Sequence, residues 1–185
     1  MKDPADLKTR WNGKGEKRII MDDKMANNPV REVTIERTLN APRDLVWKAW
    51  TDPKIVAKWW GPRGVTNPTC EVDARPGGKM YIVMLAGKEL GPAAGMKWPM
   101  VGTFKEVKPQ SRLVIIGGAA DEAQKIFLES EITVDFRESN GKTSVNVHVM
   151  VTKINNAERA LGAIKGMEMG WNQQMDKLVE MLAIG

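Results

Sequence analysis

The amino-acid sequence predicts an α+β domain in which a curved antiparallel sheet grips one long C-terminal helix. Three observations carry this: six period-two segments in series between Thr66 and Thr152, a pair of short helical patterns after a first strand, and a lasting switch to helical period from Asn156 to Leu182. At 185 residues the chain fits one domain of ordinary size, long enough to bury a core without disulfides or structural metal.

Residues 1–31 mix charge, Gly and Pro with few periodic apolar positions and read as an N-terminal extension, with Met25 an alternative opening of the compact unit. The domain proper takes residues 32–185. Its first strand shows in Val33, Ile35, Arg37 and Leu39 alternating with Thr34, Glu36 and Thr38, and Asn40-Ala41-Pro42 ends it. Pro42 suits the first turn of a helix, with Asn40 or Ala41 near the cap, and Leu45, Val46, Ala49 and Trp50 recur at helical spacing. Asp52-Pro53 restarts the helix, which carries Ile55, Val56, Trp59 and Trp60 until Gly61-Pro62 stops it.

Six strand-like segments follow: 66–74, 79–85, 100–107, 112–117, 127–136 and 143–152. The separators carry turn residues, and Asn140-Gly141 is the strongest hairpin signal among them. Strands in such close succession imply an antiparallel meander. From Asn156 onward, with Asn155 or Asn156 as cap, Leu161, Ile164, Glu168, Trp171, Met175, Leu178 and Leu182 repeat every three or four residues, one face of a long helix. Gly162, Gly166 and Gly170 recur on that helix, each costing roughly 0.8–1 kcal/mol against Ala, so they require a reason: close strand approach, a kink, or room for a ligand.

Composition excludes several classes. Hydrophobic residues make up 42% and charged residues 28%, a globular balance, and no apolar run approaches the roughly 20 residues that span a bilayer. The polar start shows no secretory signal, and a lone Cys70 permits no internal disulfide, so the expected compartment is the cytoplasm. The net charge of +5 is unevenly spread: residues 1–31 hold eight Lys/Arg and five Asp/Glu, which leaves the remainder nearly balanced. No basic stripe interleaved with aromatics points to nucleic acid. One His and one Cys cannot build a structural zinc site, and no phosphate-loop motif is present, so neither metal nor cofactor is expected.

Five collinear blocks carry a family resemblance: Ala41-Pro42, Val46-Trp47 and Trp50-Thr51-Asp52-Pro53; Trp59-Trp60-Gly61-Pro62; Asp73-Ala74-Arg75-Pro76-Gly77-Gly78; Gly102-Thr103-Phe104-Lys105-Glu106-Val107 with Pro109 and Arg112-Leu113; and Gly166-Met167-Glu168 with Gly170-Trp171 and Leu178. Over residues 30–184 the chain resembles the activator of heat-shock-protein-90 ATPase homologue family, within the START-like, birch-pollen-allergen superfamily. The resemblance implies a helix-grip fold with an internal cavity between sheet and last helix. The chain departs from the family pattern in a long connection over 86–99, which would lid the cavity or meet another subunit, and in residues 1–31, which have no counterpart.

Ten residues are expected to contact a ligand: Trp59, Trp60, Arg75, Met80, Met84, Trp98, Met100, Ile164, Glu168 and Trp171. Glu168 is the one carboxylate on the apolar stripe, so it is either satisfied by Trp171 Nε1–H, Arg75 or a backbone group, or it faces a ligand as anchor or acid/base. The tryptophans offer flat apolar area with a polar handle and serve core and pocket equally well. Met80 and Met84 on one strand face, with Met100, Met150 and Met175, give either an adaptable cavity wall or core filler. Arg75 and Lys79 flank Gly77-Gly78, whose amides suit an anion, although a tight turn alone explains the glycines. His148, the only histidine, alternates with Val147 and Val149 and should point away from the valine face.

The sequence therefore predicts a non-enzymatic binding protein for a small hydrophobic or aromatic molecule, monomeric or homodimeric. The alternative is a chaperone-linked interaction module. A third reading, a cyclase- or hydrolase-like enzyme, would have to draw its acid/base groups from Glu168, Asp73 and Arg75.

Overall fold

The computed structural model describes residues 9–11, 17–19 and 32–183. The chain divides into two units, Met1–Val30 and Arg31–Gly185. In the first, β1 (Thr9–Trp11) and β2 (Lys17–Ile19) pair antiparallel, with Arg10 opposite Arg18, a hairpin that the expected extension did not include. Met25 lies outside the described residues.

The second unit follows the predicted order: β3 (Glu32–Leu39), α1 (Arg43–Thr51), α2 (Pro53–Trp59), β4 (Val65–Val72), β5 (Lys79–Ala86), β6 (Lys97–Lys108), β7 (Arg112–Ala120), β8 (Ile126–Ser139), β9 (Lys142–Ile154) and α3 (Ala157–Ala183). The seven strands form one sheet in the order β3-β9-β8-β7-β6-β5-β4, and every neighbouring pair is antiparallel. The meander from β4 to β9 thus closes against β3, and the inner face of this curved sheet holds the helices.

Alternation decides which face is inward. On β9 Val145, Val147, Val149 and Val151 are buried while His148 between them is not, and His148 instead pairs with Glu32 on the outer face. Asn140 and Gly141 both take positive φ, 52° and 71°, which a two-residue hairpin of the right twist requires. Gly117 answers a different need, because a Cβ there would lie 2.1 Å from the Val101 carbonyl oxygen on the adjacent strand.

The helix pair starts one residue later than the sequence suggests. Pro42 is itself the N-cap of α1 and has no side-chain acceptor to offer, so Glu138 at the end of β8 accepts from the Arg43 N–H (2.9 Å) instead. Leu45, expected on the apolar face, is exposed; the buried face is Val46, Ala49 and Trp50. At α2 the cap is local, with Asp52 accepting from Lys54 N–H (2.9 Å) and Pro53 in the first turn. Asn156 caps α3 by accepting from Arg159 N–H (3.1 Å).

Two apolar clusters fill the space between sheet and helices. The main one gathers Trp50, Trp59 and Trp60 from α1 and α2, Met80, Ile82, Met100, Phe104 and Ile132 from the sheet, and Met175 and Leu178 from α3. A smaller one joins Leu128 and Val151 to Ala160 and Ile164 at the start of α3, and Met167 packs against both. No described helix is long and apolar enough to cross a membrane.

Candidate functional site

The site builds outward from Trp60. This residue is the C-cap of α2 and turns its ring against three others, meeting Trp50 at 6.2 Å, Trp59 at 5.5 Å and Trp171 of α3 at 5.7 Å between centroids. Trp50 and Trp59 are closer still, 4.8 Å at an edge-to-face angle of 62°. Such pairs contribute about 0.5–1.5 kcal/mol beyond the apolar area they bury. Trp59 is fully buried and donates its Nε1–H to the Ala49 carbonyl at 2.9 Å, so its polar handle is used inside the helix pair. The methionines Met80 and Met100 face this cluster from β5 and β6, with Met84 packed at its margin, and the predicted shared face of Met80, Ile82 and Met84 is the inner one.

The turn after Trp60 is fastened to α3 by four side chains on that helix. Gln174 Oε1 accepts from Gly61 N–H (2.6 Å) and Gln173 Oε1 from Arg63 N–H (3.1 Å). Lys177 directs its ammonium at the carbonyl oxygens of Trp60, Gly61 and Pro62, at 3.4, 3.1 and 3.5 Å. Glu180 pairs with the Arg63 guanidinium. Burial, with a smaller contribution from Arg63, holds the Lys177 pKa below the ordinary lysine value. On the opposite flank, Arg37 of β3 donates to Asp176 (2.9 Å) and to Asn172 (2.8 Å), so the C-terminal half of α3 is tied on both sides.

Sequence reasoning missed this clasp, and Gln174 was the available signal. It lies on the stripe formed by Trp171 and Leu178, three and four residues away, and it is 4% exposed. Its Nε2 has no hydrogen-bond partner, and the same holds for Trp50 Nε1, itself 2% exposed. Two buried donors around one aromatic cluster are therefore unmatched among the described residues.

Glu168 is corrected. It is exposed, and its carboxylate has no hydrogen-bond partner among the described residues, while its backbone carbonyl accepts from Asn172 Nδ2 at 2.9 Å. The reason is angular. With ~100° per residue, the centre of the buried face defined by Ala160, Ile164, Met167, Trp171, Gln174, Met175 and Leu178 lies about 70° from Glu168, and Met167 takes the core-side place the sequence stripe gave to the carboxylate. Arg75 is also corrected: it is exposed on the β4–β5 connection and its Nε lies 2.8 Å from Asp73 Oδ2. Gly77 there has φ +78°, which is the turn requirement, and no anion is needed to explain it.

Trp98 is half-buried opposite Met84 in the β5–β6 register and belongs to neither cluster. Ile164 lies in the smaller cluster, away from the indoles. Met150 faces outward, paired with Glu131 and Glu32, whereas Met175 is fully buried in the main core. The long 86–99 connection is no separate lid. Gly87 donates its N–H to the Gly64 carbonyl (2.7 Å), short 3₁₀ turns cover Lys88–Ala93, and residues 97–99 already belong to β6.

The expected cavity lining is thus partly occupied by packed rings, with Trp59 and Trp60 at 0% and 2% exposure. Two concavities of about 270 Å³ lie elsewhere, one beside Lys108, Arg112 and Asp135, the other beside Asp121, Asn156 and Arg159. Neither is lined by any of the ten predicted ligand-contact residues. Cys70 is half-buried, and burial followed by the charge of Glu71 pushes its thiol up to about 11, so it is no nucleophile at neutral pH.

Comparison with known proteins adds the lineage. A family model described as activator of Hsp90 ATPase homolog 1-like protein matches residues 40–183. No curated protein matches the chain. Among solved structures, a protein from Nitrosomonas europaea is 25% identical, superposes with a TM-score of 0.64, and covers 82% of this chain and 94% of its own. One from Arthrobacter aurescens shares the fold at TM-score 0.69 and 22% identity, covering 83% of this chain and 87% of its own. Another from Silicibacter pomeroyi does so at TM-score 0.64 and 22% identity, covering 83% and 99%.

Proposed function

The chain belongs to the activator of Hsp90 ATPase homolog 1-like family, and from that premise we propose that it is a non-enzymatic binding protein for a small hydrophobic or aromatic molecule, received at the indole cluster around Trp60. One observation carries the reading. The half of α3 that leads up to Trp171 contains Gly162, Gly166 and Gly170, and a Cβ at any of them meets nothing within 4 Å among the described residues. Close strand approach therefore does not explain these glycines. By helical geometry Gly162 and Gly166 lie on the side away from the core, so they do not clear room beneath the helix either.

Their remaining effect is to weaken the helix, by roughly 0.8–1 kcal/mol each relative to Ala. The C-terminal half is tied by the Gln173, Gln174, Lys177 and Glu180 clasp and by Arg37, while the glycine-bearing half rests on the small Leu128–Val151 cluster. A ligand enters by lifting the weak half, displacing Trp171 from Trp60 and replacing ring-on-ring contacts with its own. The non-enzymatic character rests on the dispersal of the acid/base candidates: Glu168 faces solvent on α3, and Asp73 and Arg75 pair with each other on a hairpin.

Native mass spectrometry of the purified protein, followed by tryptophan-fluorescence titration with apolar ligands, tests the reading. Saturable quenching at one site per chain is the expected result, and no saturable binder at millimolar ligand counts against it. The family description favours a second reading, a chaperone-linked interaction module, which stimulation of a purified Hsp90-class ATPase would support.

A further inference from the structure

We infer that the indole cluster selects molecules carrying a neutral carbonyl oxygen on an apolar or aromatic body, with Trp50 Nε1–H and Gln174 Nε2–H as the donors that receive it. This rests on the ligand-binding reading above and adds to it the chemistry of the headgroup. Trp50 and Gln174 are 2% and 4% exposed, and both donor atoms are without a hydrogen-bond partner. An unmatched buried donor is costly, so the pair forms a standing preference for an acceptor.

Both donors are carried by residues around Trp60. The Trp60 ring lies 6.2 Å from the Trp50 ring and 5.7 Å from the Trp171 ring between centroids, and Gln174 lies one helical turn beyond Trp171 with its carbonyl oxygen holding the N–H of Gly61, next to Trp60. That contact also fixes the orientation of the amide: Oε1 is engaged, so the free end of Gln174 is the donating NH₂. The indole of Trp59 offers nothing, because its Nε1–H is committed to Ala49.

These two groups donate and are uncharged, while the third unpartnered atom near Trp60, the acceptor Asn67 Oδ1, is not one a carbonyl oxygen engages. The cation of α3 next to this turn, Lys177, has its ammonium directed at the carbonyls of Trp60, Gly61 and Pro62. A carboxylate brought among these rings would lose its hydration and meet a charge only by drawing Lys177 away from those three carbonyls, whereas a ketone, ester or amide oxygen is met by uncharged N–H donors.

Three naphthalene probes separate the terms: 1-acetonaphthone carries the neutral carbonyl, 1-ethylnaphthalene lacks it, and 1-naphthoate replaces it with an anion. Titration of the full chain should show the ketone binding about tenfold more tightly than the hydrocarbon, as one to two net hydrogen bonds give, and also more tightly than the carboxylate. In ¹H–¹⁵N spectra the Trp50 indole and Gln174 amide resonances should shift with the ketone and not with the hydrocarbon. Trp50→Phe should lower affinity for the ketone more than for the hydrocarbon and so narrow the tenfold preference, and the wild-type spectra decide the matter if that variant fails to fold. Equal affinity for ketone and hydrocarbon, or ketone binding that leaves both resonances unmoved, overturns the carbonyl preference and leaves the hydrophobic-ligand reading standing. Binding of none of the three overturns both.

Discussion

Replacing Gly162, Gly166 and Gly170 together by alanine should stabilise the protein and weaken ligand binding. Each glycine lies inside the continuous helix Ala157–Ala183, and the position of each absent Cβ is open, so alanine brings helix propensity without a clash. The expected gain is roughly 0.8–1 kcal/mol per site, or about 2.5–3 kcal/mol for the three if they add, since no shared partner couples them. For a chain of this length that corresponds to a rise in Tm of roughly 5–12 °C. Urea unfolding with unchanged m-value reads the stability, and fluorescence titration of the same variant reads affinity for the tightest apolar ligand. If a weak first half of α3 is what admits the ligand, affinity or association rate falls as stability rises. Destabilisation at any single position would refute the open-space argument, and a stabilised variant with unchanged binding would refute the link between helix weakness and entry.

Three further predictions concern single residues. Glu168→Gln should leave stability within about 0.5 kcal/mol and ligand affinity unchanged, because the carboxylate faces solvent; a large loss of binding in titration would return it to the site. Gln174→Ala should destabilise by roughly 1–3 kcal/mol in urea unfolding, since it strips the buried Gly61 N–H of its acceptor. Cys70, with its thiol pushed up to about 11, should react with a disulfide reagent at pH 8 on the order of a hundredfold more slowly than an exposed cysteine. The sign for stability follows: a thiol whose pKa is raised in the folded state contributes stability that is present below the ordinary thiol value and lost as pH rises through about 11. Fast labelling at pH 8 without unfolding would contradict the burial.

Much of this fold is legible because strands and helices write their own periods. Val145, Val147 and Val149 name the inner face of β9 two residues at a time, and Asn140-Gly141 can hardly be anything but a tight hairpin. The site was less legible for a geometric reason. A stripe counted in steps of three and four fixes a helix face only to within a residue or so, and here the difference exchanges Glu168 for Met167 and hides the importance of Gln174. The tryptophans pose another problem, because ring-on-ring packing among Trp50, Trp59, Trp60 and Trp171 depends on which elements meet in space, and sequence spacing gives only their count. The Trp60–Arg63 turn was visible as a motif, yet its reason is the clasp with α3, formed by partners more than a hundred positions away.

The most direct test of a ligand site at Trp60 is ¹⁹F NMR of protein labelled with 5-fluorotryptophan, whose seven tryptophans each give a resonance. On titration with 1-acetonaphthone the signals of Trp50, Trp60 and Trp171 should move together and saturate at one equivalent, while that of Trp98, outside both clusters, stays in place. Movement of Trp98 alone, or of none of the seven, would contradict the account.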